Sequence, residues 1–117
     1  MKQEDSIYRQ LQIQLDQYPI GYPATKSGVD IDLLKYFFTP REAQIALCLT
    51  LRSIRAVAVC KRLRNKFGIA LSPGETSEAL EEMFRKGVIR RSDSAGEPKY
   101  GIAMLAIGMF EYQVDAL

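Results

Sequence analysis

The sequence predicts a mainly α, α+β domain: three central helices, a small β-hairpin, and an extra helix at each end. Three observations predict it. Two capping-box signatures, Thr39-Pro40-Arg41-Glu42 and Ser72-Pro73-Gly74-Glu75, each open a run with helical apolar spacing. A third such run lies between them, preceded by Ser53 and stopped by Gly68. After the last helix, two alternating segments flank a polar tip containing Gly96 and Pro98, the pattern of a hairpin. Three helices followed by a hairpin is the winged helix-turn-helix order, with the hairpin as the wing.

Along the chain, Ile7, Leu11, Leu15 and Tyr18 fall at helical spacing with Tyr8 and Gln12 beside them, predicting an amphipathic helix over 5–18 that Pro19 ends. Residues 19–23 read as an irregular, partly extended linker, and a short helix over 31–37 follows, with Asp30 or Asp32 near its start. The helix from Pro40 to about residue 51 places Ala43, Ala46, Leu47 and Thr50 on one face. In the helix over 54–67, capped by Ser53, the buried stripe is Ala56, Val59, Cys60, Leu63 and Phe67. The third helix, 74–86, turns Thr76, Ala79, Leu80, Met83 and Phe84 inward. Strands are expected over 88–91 and 99–103. Residues 104–117 are apolar on most sides, through Leu105, Ile107, Met109, Phe110, Tyr112 and Val114, so a helix there needs cover.

These elements suggest an N-terminal part (1–38) packing on the core, a winged-helix core (39–103) and a C-terminal apolar helix (104–117). Cover for the last helix is expected from the N-terminal helix or from a second copy. A homodimer interface through the terminal helices is therefore expected at Leu11, Leu15, Leu105, Met109, Phe110 and Tyr112. The chain stops at Val114-Asp115-Ala116-Leu117 with no polar tail, so it reads as a piece of something longer as readily as a whole protein.

A length of 117 residues suits one domain. The longest apolar-rich stretch, residues 102–110, is too short for a membrane span, and the polar N-terminus is not a signal peptide, so a cytoplasmic protein without membrane contact is expected. No histidine is present, which removes the commonest general base and metal ligand. Cys48 and Cys60 alone cannot complete a four-ligand metal site, and inside apolar helical patterns they read as buried free thiols. No carboxylate pair sits in an apolar run where its pKa would be raised. An enzyme, a metal site or a bound cofactor is not expected in this chain.

The net charge of +2 says little about partners, but its distribution says more. Arg52, Arg55, Lys61, Arg62, Arg64 and Lys66 occupy a stretch with no acidic residue. On a single helix, Arg55, Arg62 and Lys66 would fall within about forty degrees of one another. Arg90, Arg91 and Lys99 add charge to the wing, diluted by Asp93 and Glu97. The outward side of helix 74–86 instead carries Glu78, Glu81, Glu82 and Arg85, an unfavourable surface for phosphates, with Glu81–Arg85 and Glu82–Lys86 expected as i,i+4 pairs. Ser77 is among its few groups suited to base edges. Candidate contacts for DNA or an acidic partner are therefore Arg52, Arg55, Arg62, Lys66, Ser77, Arg85, Arg90, Arg91 and Lys99.

Several segments resemble the N-terminal winged-helix region of bacterial and archaeal ferredoxin-like 4Fe-4S binding proteins. They are Tyr22-Pro23-Ala24-Thr25, Ser27-Gly28-Val29-Asp30, Leu33-Leu34-Lys35, Phe38-Thr39-Pro40-Arg41-Glu42-Ala43, Met83-Phe84-Arg85-Lys86-Gly87-Val88-Ile89 and Gly108-Met109-Phe110-Glu111-Tyr112-Gln113. The likeness spans residues 7–114, and the order of the segments is more specific than any one of them. It departs at residues 52–67, which look longer and more basic than the family's helix. In that family the cluster-binding cysteines lie C-terminal to this region, so the resemblance implies a cluster only for a region outside this chain. It implies a non-catalytic regulatory or protein-interaction domain with a redox domain as its partner. The alternative is a DNA-binding transcriptional regulator using helices 53–67 and 74–86 and the wing.

Overall fold

The computed structural model describes residues 3–18 and 21–103. Within them are five α-helices and a three-stranded antiparallel sheet. The chain divides into two units, one holding the first two helices and the other spanning Arg41–Ala103. The C-terminal helix expected over 104–117 lies outside the described residues.

In the first unit, α1 (Gln3–Asp16) buries Tyr8, Leu11, Gln12 and Leu15, the i, i+3, i+4, i+7 stripe of a helix with one covered face. Helix α2 (Val29–Phe37) begins two residues earlier than expected, because Gly28 takes the left-handed conformation (φ 82°) at its N-terminal boundary. Asp30 therefore lies inside the first turn, fully buried, and its carboxylate serves tertiary contacts. Thr25 Oγ1 donates to Asp30 Oδ1 at 2.7 Å, and Arg9 Nη1 to Oδ2 at 2.9 Å. Burial alone would raise the Asp30 carboxyl, but the bonds from Thr25 and the Arg9 guanidinium hold it below the usual carboxylate range. Buried Tyr22 donates its hydroxyl to Asp30 O (2.9 Å), while its own carbonyl accepts from Gln12 Nε2 (2.8 Å) and its amide donates to Asp16 Oδ1 (2.9 Å). The linker is thus fixed by polar groups at residues 9, 12, 16 and 30.

In the second unit, α3 (Pro40–Leu47) buries Ala43, Ile45, Ala46 and Leu47. It ends four residues before the expected 51, and Thr50 is exposed instead of facing inward. The reason lies downstream: Thr50 O accepts from Ile102 N at 2.9 Å, and the chain then runs into β1 (Ile54–Arg55). That strand pairs antiparallel with β3 (Lys99–Ile102), in the register Ile54–Tyr100 and Arg55–Lys99. Strand β2 (Ile89–Ser92) pairs with the other edge of β3, giving the order β1-β3-β2. At Gly101 a Cβ would sit 2.8 Å from Arg90 Nη2 and 3.3 Å from Thr50 O, so a larger residue would displace the Arg90 side chain and crowd the Thr50 carbonyl.

Helix α4 (Ala56–Phe67) starts after β1, not at 54, and its boundary residue is Arg55 with no side-chain cap, where Ser53 was expected to serve. Val59, Cys60 and Leu63 are buried; Ala56 and Phe67 are only half-buried. Gly68 (φ 67°) closes the helix, its amide bonding Arg64 O while Ile69 N reaches Leu63 O. Helix α5 (Pro73–Arg85) has the expected capping box: Ser72 Oγ accepts from Glu75 N (3.1 Å) and Ser72 N donates to Glu75 Oε1 (3.0 Å). Thr76, Leu80 and Met83 face inward, whereas Phe84 is 40 % exposed, its ring 5.7 Å from the Arg91 guanidinium. Buried Glu42, near the start of α3, takes an ion pair from Lys86 just beyond α5. Between β2 and β3 a short 3-10 turn (Ser94–Gly96) forms the tip of the hairpin.

Candidate functional site

The cationic residues of the Arg41–Ala103 unit fall into two groups, those engaged by the protein itself and those left to solvent. Arg55, carried into β1, leaves the helical stripe proposed with Arg62 and Lys66, because it precedes the first turn of α4. Its Nη1 lies 3.3 Å from Glu97 Oε2, with both side chains more than half exposed, a contact of small energetic value. Arg62 Nη1 donates to the carbonyl of Cys48 at 3.0 Å, tying α4 to the end of α3. The Lys66 ammonium stands 5.8 Å above the Phe67 ring.

On the β2–β3 hairpin, Arg90 donates to Ile102 O at 2.9 Å and to Leu51 O, holding β2 to the loop after α3. Arg91 Nε lies 2.9 Å from Glu81 Oε2, and its guanidinium also meets Asp93. Tyr100 OH donates to the same Glu81 oxygen at 2.7 Å. Arg85 pairs with Glu82 at 2.8 Å, an i,i+3 contact, and Lys86 goes to Glu42. The two expected i,i+4 pairs are thus replaced: Glu81 turns to the sheet and Glu82 takes Arg85. The side chains of Lys99, half-buried on β3, and Arg52, exposed ahead of β1, form no hydrogen bond or ion pair among the described residues.

Ser77, Glu78, Glu81, Glu82 and Arg85 line a shallow open groove along α5. Glu78 has no cationic partner among the described residues. This face of α5 therefore holds neutralised pairs and one carboxylate without a cationic partner among the described residues.

The opposite situation holds on α4. Val57, Lys61 and Arg64 recur at i, i+4 and i+7 and face away from the buried Val59, Cys60 and Leu63. Lys61 and Arg64 are exposed and unpaired among the described residues, and Val57 is 40 % exposed. Lys61 and Arg64 were visible in the sequence only as members of a basic run. The helix expected over 54–67 already sets them at i+4 and i+7 from Val57; the structure adds that all three are exposed together.

Leu11 and Leu15, expected at a dimer interface, are 0 and 2 % exposed, so neither offers a face to a second copy. Their spacing marked a covered stripe, and the protomer itself covers it. Leu105, Met109, Phe110 and Tyr112 lie outside the described residues.

The perturbed titrating groups keep their ordinary neutral-pH forms. Burial pushes the Cys48 thiol up to about 11, against the opposing pull of Lys66 and Arg62. Burial likewise raises Tyr22 and Tyr100, while Asp30 and Glu75 are lowered, the latter by bonds with Ser72. Cys48 and Cys60 are free and buried, and Cys60 Sγ donates to Leu71 O at 2.9 Å. Among the described residues no three acidic or cysteine side chains gather as a metal-binding group, and no helix is long and apolar enough to cross a membrane.

The fold and surface define an α+β domain with a cationic helix beside an acid-lined one. No protein-family model, curated protein or solved structure matches the chain.

Proposed function

We propose that the Arg41–Ala103 unit is a winged helix-turn-helix module that works by docking a protein partner, without catalysis and without reading duplex DNA through α5. The order α3-β1-α4-α5-β2-β3, with the sheet order β1-β3-β2, supports the winged-helix reading. In that reading α5 is the helix aimed at the major groove and the β2–β3 hairpin is the wing. The resemblance to the N-terminal region of ferredoxin-like iron–sulfur proteins adds a proposed context, in which the partner is a redox domain.

One observation carries the choice of protein over DNA. Along α5, Glu78 is free, Glu81 is held by Arg91 and Tyr100, and Glu82 holds Arg85. A nucleic-acid surface needs cations free to displace counterions from phosphates. Here the wing arginines already serve carboxylates and carbonyls.

The test is fluorescence anisotropy with a labelled mixed-sequence duplex of roughly 25 base pairs at about 150 mM salt, where nonspecific binders show Kd of roughly 1–100 µM. The wild type is expected to show no saturable binding below about 10 µM, and Glu78→Lys with Glu82→Lys to gain salt-sensitive binding. Submicromolar binding by the wild type, with affinity falling steeply as salt rises, would overturn the proposal.

A further inference from the structure

We propose that the exposed face of α4, built from Val57, Lys61 and Arg64, is the docking surface, and that its occupant is an acidic amphipathic helix of a partner protein. The inference rests on the protein-docking reading above and assigns that reading a place and a chemistry. Three features of the face carry it. First, Lys61 and Arg64 are unpaired among the described residues, while Arg55, Arg62, Arg85, Arg90 and Arg91 are all engaged internally. Second, the like charges cost helix stability: Lys61 with Arg64 at i,i+3 and Arg62 with Lys66 at i,i+4 repel, and no acid between residues 52 and 66 relieves them. Third, a β-branched apolar side chain, Val57, stands 40 % exposed on the same face as the two cations.

Charge complementarity selects an acidic occupant, and Val57 selects between its two classes. Phosphates have no use for an exposed valine. An amphipathic helix can set a leucine or similar group on Val57 and on the methylene stems of Lys61 and Arg64, and its carboxylates on their charged heads. The Arg64 guanidinium can take a carboxylate through two parallel bonds. Size agrees with chemistry. A single helix, roughly 10 Å across, covers the α4 face alone. A stiff duplex reaching α4 would also bring its phosphates toward the free carboxylate of Glu78 on neighbouring α5.

The experiment uses the full chain and a labelled synthetic peptide of about 18 residues, long enough to form helix, made of Glu, Ala and Leu with Leu at helical i, i+3, i+4 spacing. A scrambled peptide of the same composition and the mixed-sequence duplex serve as comparison probes. Binding to the patterned peptide is expected to exceed that to the scrambled one by about tenfold, since only the first presents an apolar stripe. Lys61→Glu with Arg64→Glu is expected to weaken it by about tenfold or more, and Val57→Ser by about threefold. Glu78→Lys with Glu82→Lys is expected to leave it unchanged. Circular dichroism checks that each variant is folded, which the exposure of all five positions makes achievable.

Equal binding of both peptides, or an undiminished Lys61→Glu, Arg64→Glu variant, would overturn the proposal. If neither peptide nor duplex binds, the α4 assignment falls while the reading against DNA stands. If the duplex binds through Lys61 and Arg64, both fall.

Discussion

Asp30 is the residue on which the first unit should depend most heavily, and the cost of losing it follows from its surroundings. Replacing it with alanine leaves Thr25 Oγ1 and Arg9 Nη1 without acceptors that now stand 2.7 and 2.9 Å away. Stranding the partner of a fully buried charge pair costs about 3–5 kcal/mol. Arg9 is not so stranded, because its side chain stays 34 % exposed and keeps Gln12 Oε1 at 2.9 Å. The cost should therefore match the loss of a charge-assisted hydrogen bond plus that of a neutral one, about 2–3 kcal/mol. Asp30→Asn retains an oxygen for Thr25 and should cost about 1–2 kcal/mol. In thermal unfolding followed by circular dichroism, the alanine variant should melt about 8–12 °C lower at pH 7, at roughly 4 °C per kcal/mol. Because the folded carboxyl is held below its ordinary value, its contribution is complete above the unfolded pKa of about 4 and fades as pH falls through the folded one. The gap between wild type and Asp30→Asn should therefore be constant from pH 5 to 8, as rough bounds, and close in acid. An alanine variant within about 0.5 kcal/mol of wild type at pH 7, or a gap that widens in acid, would refute this account of the network.

Two further outcomes test local features of the second unit. Ala95, exposed at the hairpin tip, holds φ 58° and ψ 30°, a left-handed conformation costing an L-residue about 1 kcal/mol. After the entropy penalty of glycine in the unfolded chain, Ala95→Gly should stabilise by about 0.5 kcal/mol in urea unfolding, and a destabilised variant would contradict the strain. The Cys48 thiol, 3 % exposed and raised to about 11, should be thiolate in only about one molecule in a thousand at pH 8. Labelling by a thiol reagent at that pH should be slow until denaturant opens the fold, and reaction at the rate of a free thiol would show that Cys48 is reachable.

Much of the local grammar survived the transfer from sequence to structure, though the expected Ser53 cap did not, and nonlocal pairing was not legible. The capping box at Ser72 and Glu75, the stop at Gly68 and the stripes through Leu11, Leu63 and Leu80 depend on residues within a few positions, and all were legible. Strand β1 was hidden because two residues cannot show a period, and Ile54 with Ala56 fits a helix equally well. Missing it placed Arg55 on α4 and made a three-residue stripe that does not exist. The charge pairs failed for a related reason. Glu81 and Arg85 satisfy the i,i+4 rule on paper, but the sheet brings Glu81 a better-buried cation in Arg91 and a hydroxyl donor in Tyr100. Phe84 shares the expected inward side with Leu80 and Met83, yet it is 40 % exposed and its ring lies 5.7 Å from the Arg91 guanidinium. In the first unit nothing local marks Asp30 as a tertiary hub, since Arg9 is 21 residues away.

The separation between paired and unpaired cations also bounds what a duplex could gain here. Each phosphate neutralised contributes about 0.9 to the slope of log affinity against log salt, and strong binders make roughly six to ten such contacts. On β1, α5 and the β2–β3 hairpin, Arg55, Arg85, Arg90 and Arg91 would have to abandon Glu97, Glu82, the carbonyls of Ile102 and Leu51, or Glu81 to join in. Of the candidate cations and their α4 neighbours, that leaves Arg52, Lys61, Arg64, Lys66 and Lys99, a slope of about 4.5 even if all five reached phosphates at once. Against it stands Glu78, unpaired among the described residues, whose repulsion from a phosphate about 6 Å away is worth roughly 1 kcal/mol at an effective dielectric constant near 50. A flexible or helical acidic polypeptide escapes that penalty because it touches one helix face only. The single acidic helix proposed for α4 needs far fewer cations, since it would draw about tenfold in affinity from Lys61 and Arg64 and about threefold from Val57.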